Sequence, residues 1–318
     1  FEFDERVQDV DGVRQRHISR GQIAQQGAYG CSGVSELASE LRSVRTGVRH
    51  GPSIAGGPDS EIRIRGFGTG SGTFTQRRAR EDRGVTETAT PHVLDNAGWA
   101  ALTSHHESFA ETKGHARRYP VDVSPFAAVD RIDDEPLADL AALSGSDGPF
   151  ALMRGEIPAL PAGWDELHRG RGHQLTVHVD AYVAAPRPDV RRLTVDDVPQ
   201  MLALVAATEP GPFRPRTIEM GRYYGHFDGA RLVAMAVERL HLDGFTEISA
   251  VCTHPDARGR GLASGITGVV AEGIFERDEQ PFLHVAENNA GALRVYEGLG
   301  FVRRRVVEFA LIQASSGH

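Results

Sequence analysis

From about residue 188 onward, apolar and polar positions keep a regular period. "DVRRLTV" predicts a strand. "TVDDVPQMLALVAAT" predicts a helix, with Thr194 as its cap and Val198, Met201, Leu202 and Val205 at helical spacing. "RPRTIEMGRYY" predicts a second helix. The run "YYGHFDGARLVAMAVERLHLDGFTEISAVCTH" alternates around two Asp-Gly pairs, which predicts a three-stranded antiparallel meander. "LASGITGVVAEGIFER" then predicts a helix with Leu262, Ile266, Val269, Val270 and Ile274 on its buried face. "PFLHVAE" is a strand, "NAGALRVYEGLG" a helix and "FVRRRVVEFALI" a closing strand.

Residues 91–183 are patterned less evenly. In "LDNAGWAALTSHHESFAET" Asp95 is placed as a cap, and Trp99, Leu102, His106 and Phe109 share a helical face. "EPLADLAAL" predicts another helix, and "PFALMRG" and "HQLTVHVD" predict strands. Together they predict a small α/β region that covers or extends the next domain. "AAPRPDV", residues 184–190, is a proline-bearing joint. Residues 1–90 are rich in Gly, Ser, Arg and Asp with no sustained period, and predict a low-complexity, disordered extension. Within it, "SGVSELASELRSV" at 32–44 has the pattern of one short helix. Because the chain opens without Met, sequence upstream of a natural start near Val85 is a second reading of this extension, and a binding arm is a third.

Composition narrows the class. With 318 residues the chain can hold two domains, and its apolar and charged fractions of 40% and 25% are ordinary for a globular protein. A formal net charge of −8 gives no reason to expect nucleic acid or an anionic membrane as partner. Two cysteines, Cys31 and Cys252, make no disulfide framework, and no Cys/His spacing matches a metal site, so neither metal nor disulfide is expected. The spacing of His105, His106, His173 and His178 fits no ligand motif, which leaves surface or packed histidines. No apolar run is long enough to span a bilayer, and the amino end is too polar for a signal peptide. A cytoplasmic protein is expected.

The chemistry concentrates in "THPDARGRGLASG". A strand ends near Cys252 and a helix begins near Leu262. The first amides of a helix have no internal partner and sit at the positive end of its dipole. Gly259 and Gly261 bare the backbone, and Arg258 and Arg260 add charge, so a diphosphate is the natural guest. A nucleoside-triphosphate loop needs GK[ST], which is missing; a dinucleotide fingerprint has Ser264 where its third glycine belongs. A glycine-rich turn without ligand is the bland alternative.

The surroundings decide between them. "RGRGLA" resembles the R/Q-x-x-G-x-G/A motif of the GNAT superfamily of acyl-CoA-dependent N-acyltransferases, with Arg258, Gly261 and Ala263 at its fixed positions. "NAGALRVYEGLGF" is similar to the superfamily's second signature through Asn289, Ala292, Tyr296, Gly300 and Phe301. The resemblance implies a mixed, mostly antiparallel GNAT sheet flanked by helices over residues 188–313, preceded by the small α/β region.

It also implies acetyl-CoA as co-substrate, with its diphosphate on the amides of Gly259, Arg260, Gly261, Leu262 and Ala263. The pantetheine arm would lie against Val251, Cys252 and Thr253, where a backbone amide meets the developing oxyanion. Asn289 would contact the arm or cap its own helix. Glu247, eleven residues before Arg258 (258 − 247), stands where several relatives place a catalytic base, on a strand face shared with Ser249 and Val251; Glu238 is the reserve. Tyr296 matches the general acid of many relatives. The acceptor, an amine of a small molecule or peptide, is expected against Phe213, Arg216, Glu219 and Tyr223. Cys252 is a core residue rather than an acyl carrier, and "VRRRVVEF" a solvated edge whose minor reading is a contact to the CoA 3′-phosphate. The family allows a homodimer. The alternatives are a non-catalytic acyl-CoA-binding module and a transferase for another acyl group.

Overall fold

A computed structural model describes residues 91–144 and 148–315. The expectations for 1–90, including the helix at 32–44, lie outside the described residues. In the amino-terminal region α1 (Ala97–Leu102) is followed by β1 (Glu111–Lys113), β2 (Ala116–Arg118), β3 (Ala127–Val129), α2 (Asp134–Ser144), β4 (Phe150–Arg154) and β5 (Trp164–Thr176). The single helix expected across 95–109 breaks after Leu102. Thr103 leaves helical geometry and its hydroxyl turns back to the Trp99 carbonyl at 2.8 Å. Asp95 does cap, but within a tight turn, Val93–Asn96, whose amino end is His92.

The remainder runs β6 (Arg191–Arg192), α3 (Val198–Thr208), β7 (Tyr223–Asp228), β8 (Arg231–Leu242), β9 (Phe245–Thr253), α4 (Leu262–Phe275), β10 (Gln280–Ala286), α5 (Ala290–Gly298) and β11 (Val302–Ala314). The meander closes through Gly229 and Gly244, both at positive φ, as the Asp-Gly pairs predict. The second helix expected at 214–224 is only one turn of 3-10 helix, Thr217–Met220. Pro215 and Gly221 bracket it and leave no length for α-helix.

Eight strands form one sheet in the order β4-β11-β5-β10-β9-β8-β7-β6. All neighbours are antiparallel except β9 and β10. The joint at 184–190 therefore does not divide the sheet: β4 and β5 come from before it, and β5 lies between β10 and β11. β5 was legible only in its last third, because "WDELHRGRG" has no alternation. Gly172 passes so close to β10 that a Cβ there would meet the Val285 carbonyl oxygen at 2.7 Å.

Helices α4 and α5 cover one face, packing Leu262, Ile266, Val270 and Leu293 against Val233, Ile248, Leu283 and Val285. On the other face α3 covers the β7–β9 end. The amino-terminal region covers the middle there, with Leu94, Leu102, Tyr119 and Phe126 against Leu240 and Phe282. This burial excludes water from the face that carries Glu247. Among the described residues no helix is long and apolar enough to cross a membrane.

Candidate active site

The parallel ladder between β9 and β10 is short. It pairs residues 245–248 with 280–283 and ends at Ile248 and Leu283. Beyond that rung each strand leans on its outer neighbour: β9 follows β8 to Thr253, and β10 follows β5 to Ala286. A fork results, with two backbone edges facing each other across a gap. The unpaired edges run toward the carboxyl ends of both strands, where the glycine loop follows β9.

A bulge shapes the β9 side. Ser249 pairs with Val237 and Cys252 with Met235, so Ala236 alone opposes Ala250 and Val251. Ala250 carries the extra turn at φ 45°, a conformation that costs a non-glycine residue about 1–3 kcal/mol. The bulge also reverses the alternation. Val251 packs with Ile248 on the α4 face, so it does not share a face with Glu247 as simple alternation predicted.

Gly259 and Gly261 have φ values of 75° and 72°, and the space where their Cβ atoms would stand is empty. Gly261 is the N-cap of α4 and supplies no side chain to its first turn. Among the described residues the amides of Gly259, Arg260 and Gly261 donate to no backbone carbonyl. Arg258 reaches back to the Thr253 carbonyl at 3.3 Å, and Arg260 lies 3.2 Å from Asp228 at the surface. Five consecutive amides at the head of a 14-residue helix, two of them on glycine, suit a diphosphate. Thr253 Oγ1 is buried without a partner beside them.

Tyr296, on α5, is 7% exposed and packs with Ile248, Leu283 and Val285 from both arms of the fork. Burial and the neighbouring Cys252 push its hydroxyl above the usual phenol range, so it stays protonated. That hydroxyl has no protein partner among the described residues. Cys252 itself is pushed up to about 12 by burial, which leaves almost no thiolate for nucleophilic chemistry. Asn289 caps α5, its Oδ1 accepting from the Ala292 amide at 3.0 Å.

Glu247 faces the amino-terminal region and has no exposed surface. Arg239 grips it through both oxygens, at 2.7 and 2.5 Å, and His284 Nδ1 lies 2.7 Å from Oε1. Burial alone would raise the carboxyl, but the Arg239 charge and the hydrogen bonds from His284 and Arg239 outweigh it and hold it down to about 2. In this arrangement both carboxylate oxygens are engaged and enclosed, so an incoming amine has no open path to them. Glu238 is no substitute: Arg277 holds it at 3.0 Å, and it accepts from the Arg222 amide.

The four expected acceptor residues do not form one pocket. Phe213 and Tyr223 are core residues packed edge to face, and the Tyr223 hydroxyl donates to the Thr217 carbonyl. Arg216 is spent on Glu219 and on Asp122 of the amino-terminal region. Their shared place is the seam where segment 119–126 docks on the 217–220 turn, fastened by Thr217 Oγ1 on the Val123 carbonyl.

Comparison with known proteins bears on the family and the fold. Residues 223–310 match the family described as FR47-like protein. A solved protein of the GNAT family from Novosphingobium aromaticivorans, assigned as an acetyltransferase, is 35% identical, with a TM-score of 0.66 over 71% of this chain and 100% of its own. The chain belongs to the GNAT family of acetyltransferases. A GCN5-related N-acetyltransferase from Kribbella flavida shares the GNAT fold at 19% identity and a TM-score of 0.50, over 71% of this chain and 97% of its own. Mycothiol acetyltransferases of Actinosynnema mirum and Thermomonospora curvata are 31% and 30% identical over 49% and 55% of this chain. The chain spans 50% and 59% of those two relatives.

Sequence reasoning overlooked several GNAT-sheet residues around Glu247. Arg239, His284 and Gln174 were passed over, although a histidine inside "PFLHVAE" is a polar residue in an otherwise apolar strand. Arg304 was assigned to a solvated edge. β4 pairs with β11 only at 308–312, so the arginine segment has β5 on one side alone and Arg303 is exposed there as expected; Arg304 departs from that reading, because it is the extra residue of a bulge between Arg303 and Arg305. It turns inward to Gln174 and Asp95. Among the four histidines first considered, His106 is packed between the Tyr119 hydroxyl and the Met220 carbonyl, and His105 stacks on His241.

Proposed function

We propose that the chain transfers an acetyl group from acetyl-CoA directly to an amine. The observation that carries this is the fork between β9 and β10, open toward the uncapped amides of Gly259–Ala263 and flanked by the unpartnered Tyr296 hydroxyl. The diphosphate would sit on those amides. The pantetheine arm would pair with the free edge of β9 along Val251, Cys252 and Thr253.

The amine attacks the thioester carbonyl, a C–N bond forms, and the tetrahedral oxyanion meets a backbone amide at the Ala250–Val251 bulge. As the C–S bond breaks, Tyr296 donates a hydrogen bond or its proton to the leaving thiolate. Neither strand carboxylate is free to collect the amine's proton, so that proton passes to water. The high thiol pKa of Cys252 favours this direct route over an acyl-enzyme.

The test is thiol release from acetyl-CoA by the full chain across a panel of amines. The relatives' name puts mycothiol acceptors on that panel, beside amino acids, polyamines, aminoglycosides and peptide amino termini. Release with one amine class supports the reading. Saturable CoA binding without release from any amine would sink it in favour of a second reading, a non-catalytic acyl-CoA-binding module. The engagement of Glu247 by Arg239 is what favours that alternative.

A further inference from the structure

Five neighbouring strands each contribute one polar side chain to a single row across the sheet. In sheet order β11, β5, β10, β9 and β8, these are Arg304, Gln174, His284, Glu247 and Arg239. Arg304 NH1 donates to Gln174 Oε1 at 2.7 Å, Gln174 Nε2 lies 3.0 Å from His284 Nε2, and His284 Nδ1 lies 2.7 Å from Glu247 Oε1. Arg239 closes one end on Glu247 at 2.5 Å. At the other end Arg304 NH2 reaches Asp95 at 2.7 Å, and Gln174 Nε2 donates to the Leu94 carbonyl at 2.9 Å.

The contacts allow one arrangement of hydrogens. Gln174 Oε1 accepts from Arg304, so its amide hydrogens point to Leu94 O and His284 Nε2. His284 Nε2 must then accept, and Nδ1 carries the hydrogen given to Glu247. Each link is directional, and Gln174 and Glu247 are 1% and 0% exposed. Apolar side chains of similar volume would stabilise the core at least as well, because a buried ion pair rarely repays its desolvation. What a directional row adds is fixed geometry.

That geometry falls at the fork. Glu247 pairs with Phe282, one rung before the ladder ends at Ile248 and Leu283. His284 is the first β10 residue past the end. Their hydrogen bond therefore crosses the last rung diagonally and ties the two strands where they begin to part.

We propose that Glu247 and His284 form a clasp that sets the opening point of the gap, and that both are positioning residues for the pantetheine arm and the bulge amide. The inference rests on the acyl-CoA reading above. The clasp acts on the arm alone; the diphosphate loop lies beyond its reach, at the far end of β9.

Equilibrium binding to the full chain separates the two parts of the ligand. CoA carries the arm, and 3′-phosphoadenosine 5′-diphosphate lacks it. His284→Leu is expected to weaken CoA by about tenfold and leave the nucleotide within about twofold. His284→Asn, whose side-chain amide can replace the Nδ1–H donor, should recover CoA affinity to within about threefold of wild type. Glu247→Asp keeps the charge opposite Arg239 but falls short of His284, and should show the same selective loss as His284→Leu. Equal weakening of both ligands, or unchanged CoA affinity in the Leu and Asp variants, overturns the clasp. Failure of the wild-type chain to bind CoA overturns the acyl-CoA reading, and the clasp with it.

Discussion

Arg304 holds Asp95, 209 residues earlier in the chain, at 2.7 Å. The contact exists because a bulge adds one residue to β11 and turns its guanidinium inward. It joins the turn at 93–96 to the sheet and secures the roof over Glu247. Replacing Arg304 with Met should cost about 1–3 kcal/mol, since it leaves the buried Gln174 Oε1 without its donor, while Asp95 keeps Arg305 at 2.7 Å. Amide exchange at 92–96 should quicken more than exchange in α4. Uniform quickening would mean that Arg304 supports the whole fold rather than this seam.

Tyr296 has one hydroxyl and, among the described residues, no protein group to receive it. Tyr296→Phe removes the donor and little else, so stability should change by less than about 1 kcal/mol. Turnover should fall by about 10²-fold or more, with the acetyl-CoA KM nearly unchanged, because the bond forms to the leaving sulfur. Steady-state kinetics with any accepted amine checks this. Unaltered kcat would remove Tyr296 from the mechanism.

The Glu247 carboxyl is held down to about 2 from an ordinary 4.5. A lowered folded pKa stabilises the protein above the unfolded value, and that stability is lost as pH falls through the folded one. Denaturant titrations should show Glu247 contributing fully at neutral pH, then losing its effect between pH 4.5 and about 2. Glu247→Gln should flatten that part of the profile.

Because Glu247 is ionised across the working range, the pH–rate curve should follow the acceptor's own ionisation. Amines of different basicity should give ascending limbs at different pH. A common limb at about pH 6–8 for all of them would reveal a protein base and contradict the proton route to water.

Gly261 stands at φ 72° with open space where a side chain would go. Gly261→Ala meets strain rather than collision, so it should cost about 1 kcal/mol of stability. CoA and the armless nucleotide should both bind more weakly, in contrast to the clasp variants. Gly265→Ala differs again. Its Cβ would collide with Pro188 Cδ and meet the Pro186 carbonyl at 2.6 Å, which should displace the 184–190 segment. Protease cleavage of that segment should then become faster.

The sequence by itself determined the local elements that repeat a period and the motifs that are contiguous. The meander, α4, α5 and the bare loop at 259–261 follow from alternation, helical spacing and glycine, because each depends on neighbours a few residues away. The place of Tyr296 on α5 was legible for the same reason. Tertiary structure decided everything that depends on which strands lie side by side. β5 inserts between β10 and β11, so a region expected to cover or extend the next domain supplies two strands of its sheet. The bulge at Ala250 moves Val251 off the face of Glu247, and alternation cannot foresee an extra residue. Glu247 stands where the motif spacing put it, but its properties come from Arg239, His284 and the roof of Tyr119 and Phe126. Charge and burial at a site are sums over neighbours in space, and the chain brings those neighbours from more than a hundred residues apart.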